Sequence, residues 1–410
     1  MKFFGKKKIA KLAVTVLLIA GAGSMLAANA GDFSDLSSVT PFGPRSLWLM
    51  KQTKSIIETY HVDSDIAEVT EEKLVHGALK GMVQAWNDPY TRFVDPQTLR
   101  DEEIDMKGEY GGLGMYLGQR DGMVLVISPI EDTPADRAGL KPQDQIVKVN
   151  DEVVIGWNIH DIVKRLRGKP GSEVTISVRR EGEDKLLDYT LEREIIKLRS
   201  VRFEMLPEKT GYVRITQFKQ DTARDVRTAL KDLKKDGAKG VVLDLRNNGG
   251  GLLNSAVEVA DLFLGEGLVV SMKGRVERAN DRLYSNSETC WDLPMTVLIN
   301  EGSASASEIV AGALKDRDRA TVVGMKSFGK GSVQSLFNLP DGSGVYVTIA
   351  RYHTPAGTVI DHVGLEPHVE VEGEITKDHD EDRQLQRAVE ELKKIMKSEI
   401  VGPEDYPRAG

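Results

Sequence analysis

The chain has 410 residues, 40% apolar and 29% charged, which fits a folded protein of two or three domains and excludes a disordered one. Its net charge is −8 at neutral pH, and removing the five lysines of the first thirty residues, which hold no acid, takes it to −13. Such an acidic chain has no electrostatic case for nucleic acid or an anionic membrane, and its single cysteine, Cys290, excludes an intramolecular disulfide and a cysteine-based metal site.

Residues 1–30 have the anatomy of a secretory signal peptide. Lys2, Lys6, Lys7, Lys8 and Lys11 form a basic start, an apolar stretch follows at 12–20, and Ala28-Asn29-Ala30 is an A-x-A cleavage site. Export is expected, to the periplasm of a bacterial cell. A retained membrane anchor is the alternative, the apolar stretch lying at the short end of a span. Residues 31–107 form a helical N-terminal region. Between residues 47 and 86 apolar residues recur at helical spacing, with Ile56, Ile57, Leu74, Ala78 and Met82 as core candidates. Asp88-Pro89-Tyr90-Thr91 then supplies turn chemistry.

Residues 108–195 alternate short strands with one amphipathic helix. Gly111-Gly112-Leu113-Gly114 is a glycine-rich loop that runs into the strand-like Met115-Tyr116-Leu117, and further strands are expected at 124–127, 145–149 and 174–178. Ile159, Ile162, Val163 and Leu166 repeat at helical spacing, with Asn158 as cap and Gly168 as stop. This order, together with Ala138-Gly139-Leu140-Lys141-Pro142 followed by Asp144 and Ile146, resembles a PDZ domain. The resemblance implies a peptide-binding unit. The loop of Gly112, Leu113 and Gly114 would hold a chain-terminal carboxylate, and the strand after it would accept an extended peptide.

Residues 196–380 read as α/β. Strands at 211–218, 240–245, 295–299 and 320–323 alternate with helices at 222–235, 252–264 and 309–314, the pattern of a largely parallel sheet. Functional loops of such sheets gather at the carboxyl ends of the strands. Two small-residue stretches fall there, Gly249-Gly250-Gly251 and Ser303-Ala304-Ser305-Ala306-Ser307-Glu308. Residues 381–410 carry a charged amphipathic helix with Leu385, Ala388, Val389, Leu392 and Ile395 inward, suited to packing or assembly.

Ser305-Ala306-Ser307-Glu308 fits the S-x-x-E capping box, so Ser305 is open to two readings, a helix cap and a nucleophile at a helix start. Gly324 to Gly331 nearly matches a phosphate-binding loop, but Gly331 stands where the magnesium-binding hydroxyl belongs and a strand-like run follows, which excludes the nucleotide reading. Lys330 can instead serve as a base if burial lowers its pKa. On a strand, Gln334 shares its face and can orient its amine. The glycines at 249–251 can direct backbone N–H groups at an anion.

Together these stretches resemble the carboxyl-terminal processing peptidases, serine proteases with a Ser/Lys dyad. The residues that carry the likeness are Asp244-Leu245-Arg246-Asn247-Asn248-Gly249-Gly250-Gly251, Ser303 to Ile309, and Phe328-Gly329-Lys330-Gly331 with Val333-Gln334. Asp88-Pro89-Tyr90-Thr91 and Tyr352 to Gly357 look like flanking signatures. The resemblance implies a crotonase-like (Clp protease-like) α/β core. It makes Ser305 the nucleophile, Lys330 the general base and Gln334 the orienting residue, with Ala306 and Gly251 as oxyanion donors and Gly250 still open. It also implies substrates with accessible C-termini, an adaptor, homo-oligomers and no metal or cofactor. Arg167 resembles an arginine that couples bound peptide to catalysis, although Arg165 lies close and a solvent-facing role is simpler. Pro367-His368 departs from the Pro-Asp often found there. A trypsin-like triad has no histidine motif to stand on, and a non-catalytic peptide-binding module leaves Ser305, Lys330 and Gln334 unexplained.

Overall fold

The computed structural model describes residues 43–62, 69–120, 122–130, 132–157, 159–286, 288–376 and 378–400. The expected signal peptide at 1–30, residues 31–42, the expected cap Asn158 and residues 401–410 lie outside the described residues. The chain divides into two compact units, Arg100–Ser200 with Lys219–Asp221, and the remainder.

The central strands of the larger unit, Gly240–Asp244 and Met295–Ile299, are buried at every position, as strands covered on both faces are. Val201–Leu206, Thr210–Ile215, Gly240–Asp244, Met295–Ile299, Thr321–Gly324 and Val369–Glu370 lie side by side in that order. The first pair is antiparallel and the rest are parallel, as the strand-helix alternation requires. Successive side chains leave a strand on opposite faces. Val241, Leu243, Val297 and Ile299 accordingly join the main core with the helices Thr222–Lys235, Leu253–Asp261 and Ala306–Asp316. Val242, Leu298 and Val323 meet Leu385, Ala388 and Leu392 of the helix Arg383–Ile400 on the other face.

A second, antiparallel sheet contains Arg92–Val94, Gly267–Gly274, Asp281–Ser285, Ser332–Asn338 and Gly344–His353. Of these, sequence periodicity marks only Ser332–Asn338. The N-terminal helices form as expected, Pro44–Tyr60 and Glu71–Gln84, but bury other residues than expected. Ile56, Ile57, Leu74 and Met82 are exposed, as is Ala78. The first helix buries nothing, and the second buries His76 and Val83. His76 packs on Phe93 and bonds to Asp341, 3.1 Å away. That contact turns the stripe of Leu74, Ala78 and Met82 outward, because positions two residues apart lie on nearly opposite sides of a helix.

The smaller unit has its own core of Leu113, Val126, Ile146, Ile162, Leu166 and Ile176, among others. Its sheet runs Met115–Arg120, Met123–Pro129, Gln145–Val149, Glu173–Arg179, Leu187–Glu192, with the helix Ile159–Leu166 beside it. Asp144 is buried and structural. It closes its turn by accepting the Lys141 N–H at 2.8 Å and pairs with Arg180 through both oxygens. Arg193 satisfies the end of the helix by donating to the carbonyls of Leu166 and Arg165 at 2.9 and 2.7 Å.

Candidate active site

The strand Gly240–Asp244 ends on a fully buried charge cluster. The Arg246 guanidinium donates to both Asp244 oxygens at 3.0 and 2.7 Å, to both Asp382 oxygens at 2.8 Å, and to Gln384. Tyr212 donates its hydroxyl to Asp244 at 2.7 Å. Two carboxylates hold the Arg246 pKa above its already high ordinary value, and burial works against them. The cluster fastens the helix Arg383–Ile400 to the residues that enter the glycine turn, and Asp382 also caps that helix through the Leu385 N–H.

Past Arg246 the turn is stitched to the serine stretch. Ser303 donates its hydroxyl to the Leu245 carbonyl and Ser307 to the Asn248 carbonyl, both at 2.8 Å. The Ala304 N–H donates to Asn248 at 3.0 Å, and Asn247 and Asn300 exchange bonds through their amides. Ser305 sits between these tied neighbours at φ 54° and ψ −113°, a strained backbone for a residue with a Cβ. It is also the N-cap of the helix Ala306–Asp316, so capping and nucleophile placement are compatible roles.

The two glycines nearest Ser305 are required for close approach. A Cβ on Gly250 would stand 2.9 Å from the Ser305 Cβ and 3.1 Å from the Ala306 nitrogen. One on Gly251, at φ 142°, would stand 2.1 Å from the Phe218 carbonyl oxygen. The Gly250 N–H donates to the Asn248 side chain at 2.9 Å. Gly251 lies in a parallel bridge with Phe218 whose bonds run through the Gly250 carbonyl and the Leu252 N–H. In that pattern the bridged residue turns its own N–H to the other side. Ala306 is the first residue of its helix, where backbone N–H groups have no intrahelical partner.

Glu308 joins the serine to the lysine. Its carboxylate is fully buried and accepts four hydrogen bonds: the Ser305 N–H at 2.8 Å, the Lys330 N–H at 3.0 Å, the Gly329 N–H at 2.7 Å and the Ser327 hydroxyl at 2.5 Å. The Ser305 and Lys330 nitrogens share one oxygen, Oε2. Burial raises the Glu308 pKa in spite of these four donors. The sequence shows Glu308 as the last residue of a capping box. Its second function was hidden because three of its donors come from residues 327–330.

Lys330 is 1% exposed. Its pKa is pushed down to about 8, chiefly by burial and also by the like charge of Arg92, with Glu308 acting in the opposite direction. Its ammonium nitrogen lies 4.8 Å from the centre of the Tyr90 ring. Gln334 is buried nearby in sequence and donates its amide to Ser332 at 2.9 Å and to Thr348 at 3.3 Å. Ser332 and Gln334 meet within that strand, but the strand begins at Ser332 and its register shifts between Val333 and Gln334, so the strand alternation expected to align Gln334 with Lys330 does not extend to Lys330. Among the described residues no group of three His, Cys, Asp or Glu side chains is arranged to hold a metal ion.

In the smaller unit the carbonyl of Leu113 accepts the Ala135 N–H at 2.8 Å. That of Gly114 accepts the Ile130 N–H and the Thr133 hydroxyl, both at 2.9 Å. Gly112 pairs with Glu194. Strand Met115–Arg120 ends the sheet, with one edge free among the described residues. Arg167 stacks on Tyr110 at 4.7 Å and faces Asp101 at 3.7 Å, whereas Arg165 stacks on Trp157 and pairs with Glu152.

Comparison with known proteins adds the family. The profile of peptidase family S41 matches residues 209–371, that of the PDZ domain residues 125–180, and that of the N-terminal domain of the activating protease CtpB residues 37–98. The carboxy-terminal-processing protease of Bartonella bacilliformis is 41% identical over 74% of this chain and 70% of its own length. The carboxy-terminal processing protease CtpB of Bacillus subtilis is 33% identical over 87% of this chain and 77% of its own. Among solved structures, the photosystem II D1 C-terminal processing protease is 29% identical, covering 83% of this chain and 97% of that one, with a TM-score of 0.48. The chain belongs to the carboxyl-terminal processing proteases of peptidase family S41, serine-type peptidases, and carries a PDZ domain.

Proposed function

We propose that the protein is an exported endopeptidase that cleaves by a Ser305/Lys330 dyad and selects substrates by their C-terminal ends. The observation that carries the dyad is the shared clamp. One buried Glu308 oxygen holds the backbone of both residues, and the lysine so held has a pKa of about 8. A base near its working pH is both available and strong enough to act. At pH 7 roughly a tenth of such lysines are neutral, against far less than a hundredth for an ordinary one.

In this reading neutral Lys330 takes the Ser305 hydroxyl proton as the oxygen attacks the peptide carbonyl. The oxyanion receives the Ala306 and Gly251 N–H groups. Gly250 is the weaker donor candidate, because its N–H already serves Asn248. The ammonium of Lys330 then protonates the leaving amine, and the neutral lysine activates water to release the acyl group. Gln334, the orienting residue in this reading, is anchored through Ser332 and Thr348. Losing one oxyanion donor would lower the rate on the order of 10²–10³-fold.

The free edge of Met115–Arg120 and the inward-turned carbonyls of Leu113 and Gly114 support capture of a peptide C-terminus by strand addition. Arg167 is placed to respond to that capture through Tyr110 and Asp101. Envelope proteins in the periplasm are the proposed substrates, with an adaptor or activator as a further partner. The exposed Leu47, Trp48, Ile57, Met82 and Trp86 support a homo-oligomer that covers them.

The test assays Ser305→Ala and Lys330→Ala on an unstructured protein with an apolar C-terminus. Both are expected to lose activity while remaining folded with a cooperative melting transition. Cleavage at the wild-type rate by both would sink the dyad.

A further inference from the structure

The turn Asp88-Pro89-Tyr90-Thr91 has no part in the mechanism above, yet it lies against the base. The Tyr90 ring covers the Lys330 amine at 4.8 Å, within the range of a cation over an aromatic face. The turn is held in place from both sides. Asp88 accepts the Tyr90 N–H at 3.0 Å and the Thr91 hydroxyl at 2.6 Å. The Thr91 hydroxyl oxygen accepts the Thr348 N–H at 3.1 Å, and the Thr348 hydroxyl accepts the Gln334 amide. The turn is therefore bonded to the strand that Gln334 touches. Arg92 follows directly, pairs in register with Tyr346 and stacks on its ring at 4.4 Å.

We propose that this turn and Arg92 form the second wall of the base site, with Tyr90 as a positioning residue that holds the Lys330 amine and keeps water off it. The proposal rests on the reading of Lys330 as the base. The charged and titratable groups around the pair are Arg92 and Glu308 for the amine, and Asp88, Asp361 and Glu308 for the phenol. Burial and those three carboxylates raise the Tyr90 pKa, so the ring stays a neutral phenol and supplies no counter-charge. Two effects of the ring then compete. Its face favours the ammonium weakly, and its bulk excludes the water that would favour the ammonium strongly. Exclusion prevails, since the lysine is depressed and burial is the largest cause. Arg92 works in the same direction by like-charge repulsion. Both residues precede the span 209–371 that the peptidase profile matches, so the base depends on a segment outside it.

The experiment is the pH dependence of kcat/KM between pH 6 and 10 for the full chain and its variants, on the same unstructured substrate. Activity rises with pH as Lys330 loses its proton. Tyr90→Ala admits water and is expected to move that rise to higher pH by on the order of one unit, with about a tenfold loss at pH 7. Tyr90→Phe is expected to restore the wild-type position. Arg92→Gln removes the like charge and is expected to move the rise the same way by a smaller amount. A merely structural turn would lower activity evenly at every pH. An unmoved rise in both Tyr90→Ala and Arg92→Gln overturns the proposal, and Tyr90→Leu replaces Tyr90→Ala if that variant does not fold. Wild-type cleavage by Lys330→Ala would instead overturn the reading of Lys330 as base.

Discussion

Arg246 and Lys330 are both buried cations in the larger unit, 1% exposed each, and their surroundings differ in kind. Arg246 has two carboxylates, a glutamine and a planar fork to match them, and its pKa rises. Lys330 has an aromatic ring, a neighbouring arginine, and a carboxylate that bonds its backbone N–H, and its pKa falls to about 8. Burial alone therefore does not make a cation reactive. What decides is whether the surroundings favour its charge, and this fold does opposite things at two places.

Substitution breaks the comparison first at the arginine. Arg246→Met leaves Asp244 and Asp382 buried without their partner, a loss of about 3–5 kcal/mol. It should release the helix Arg383–Ile400 and lower the urea midpoint sharply. A midpoint within error of wild type would mean that the cluster contributes nothing net.

At the lysine the same change should have the opposite sign. The folded pKa lies below the ordinary 10.5, at about 8, so the unfolded chain binds the proton more tightly. The resulting cost of about 3 kcal/mol is present in full below pH 8 and disappears as the pH rises past 10.5. Lys330→Met should thus be inactive and more stable than wild type at pH 7, with the gap narrowing above pH 8. A variant less stable than wild type at pH 7 would show that the charged amine is well satisfied after all. Activity and stability are in conflict at this one side chain.

The smallest effect concerns His368, where the family often has aspartate. Its Nδ1 accepts the Val322 N–H at 3.0 Å, so an unprotonated ring nitrogen does the work of a carboxylate oxygen. Desolvation, with Lys315 nearby, lowers its pKa from 6.5, while Asp318 and Asp316 oppose the shift. Its contribution is present above pH 6.5 and is lost as the pH falls through the lowered value. His368→Asn keeps the acceptor and should reduce the small drop in urea midpoint between pH 7.5 and 5.5. An unchanged drop would place the acid sensitivity elsewhere.

How much of this was legible in the sequence depended on the range of the contacts. The parallel strands were readable because burial on both faces makes each an unbroken apolar run, such as Val241-Val242-Leu243. Most of the antiparallel sheet was not: strands such as Gly267–Gly274 and Asp281–Ser285 mix buried and exposed positions, and Arg92–Val94 has three residues and a partner far along the chain at Tyr346. The same holds within the site. Ser305 and Lys330 stood out through their local motifs. The clamp of Glu308 did not, since three of its donors come from a loop about 20 residues downstream. The exposed stripe of Leu74, Ala78 and Met82 shows a further limit: periodicity finds a helix, but two faces can each look apolar, and only the packing partner chooses between them.

The Arg246 cluster also bears on the order of events during synthesis. Arg246 meets Asp382 across 136 residues. A growing chain that has already made the serine stretch and Lys330 still lacks the second carboxylate at the entry to the glycine turn. Until Asp382 emerges, the guanidinium has Asp244 alone among its acidic partners, and the helix that covers the far face of the sheet is missing. Ribosomes add residues one at a time from the N-terminus, so the strand end beneath the glycine turn is completed only after the segments that carry Ser305 and Lys330.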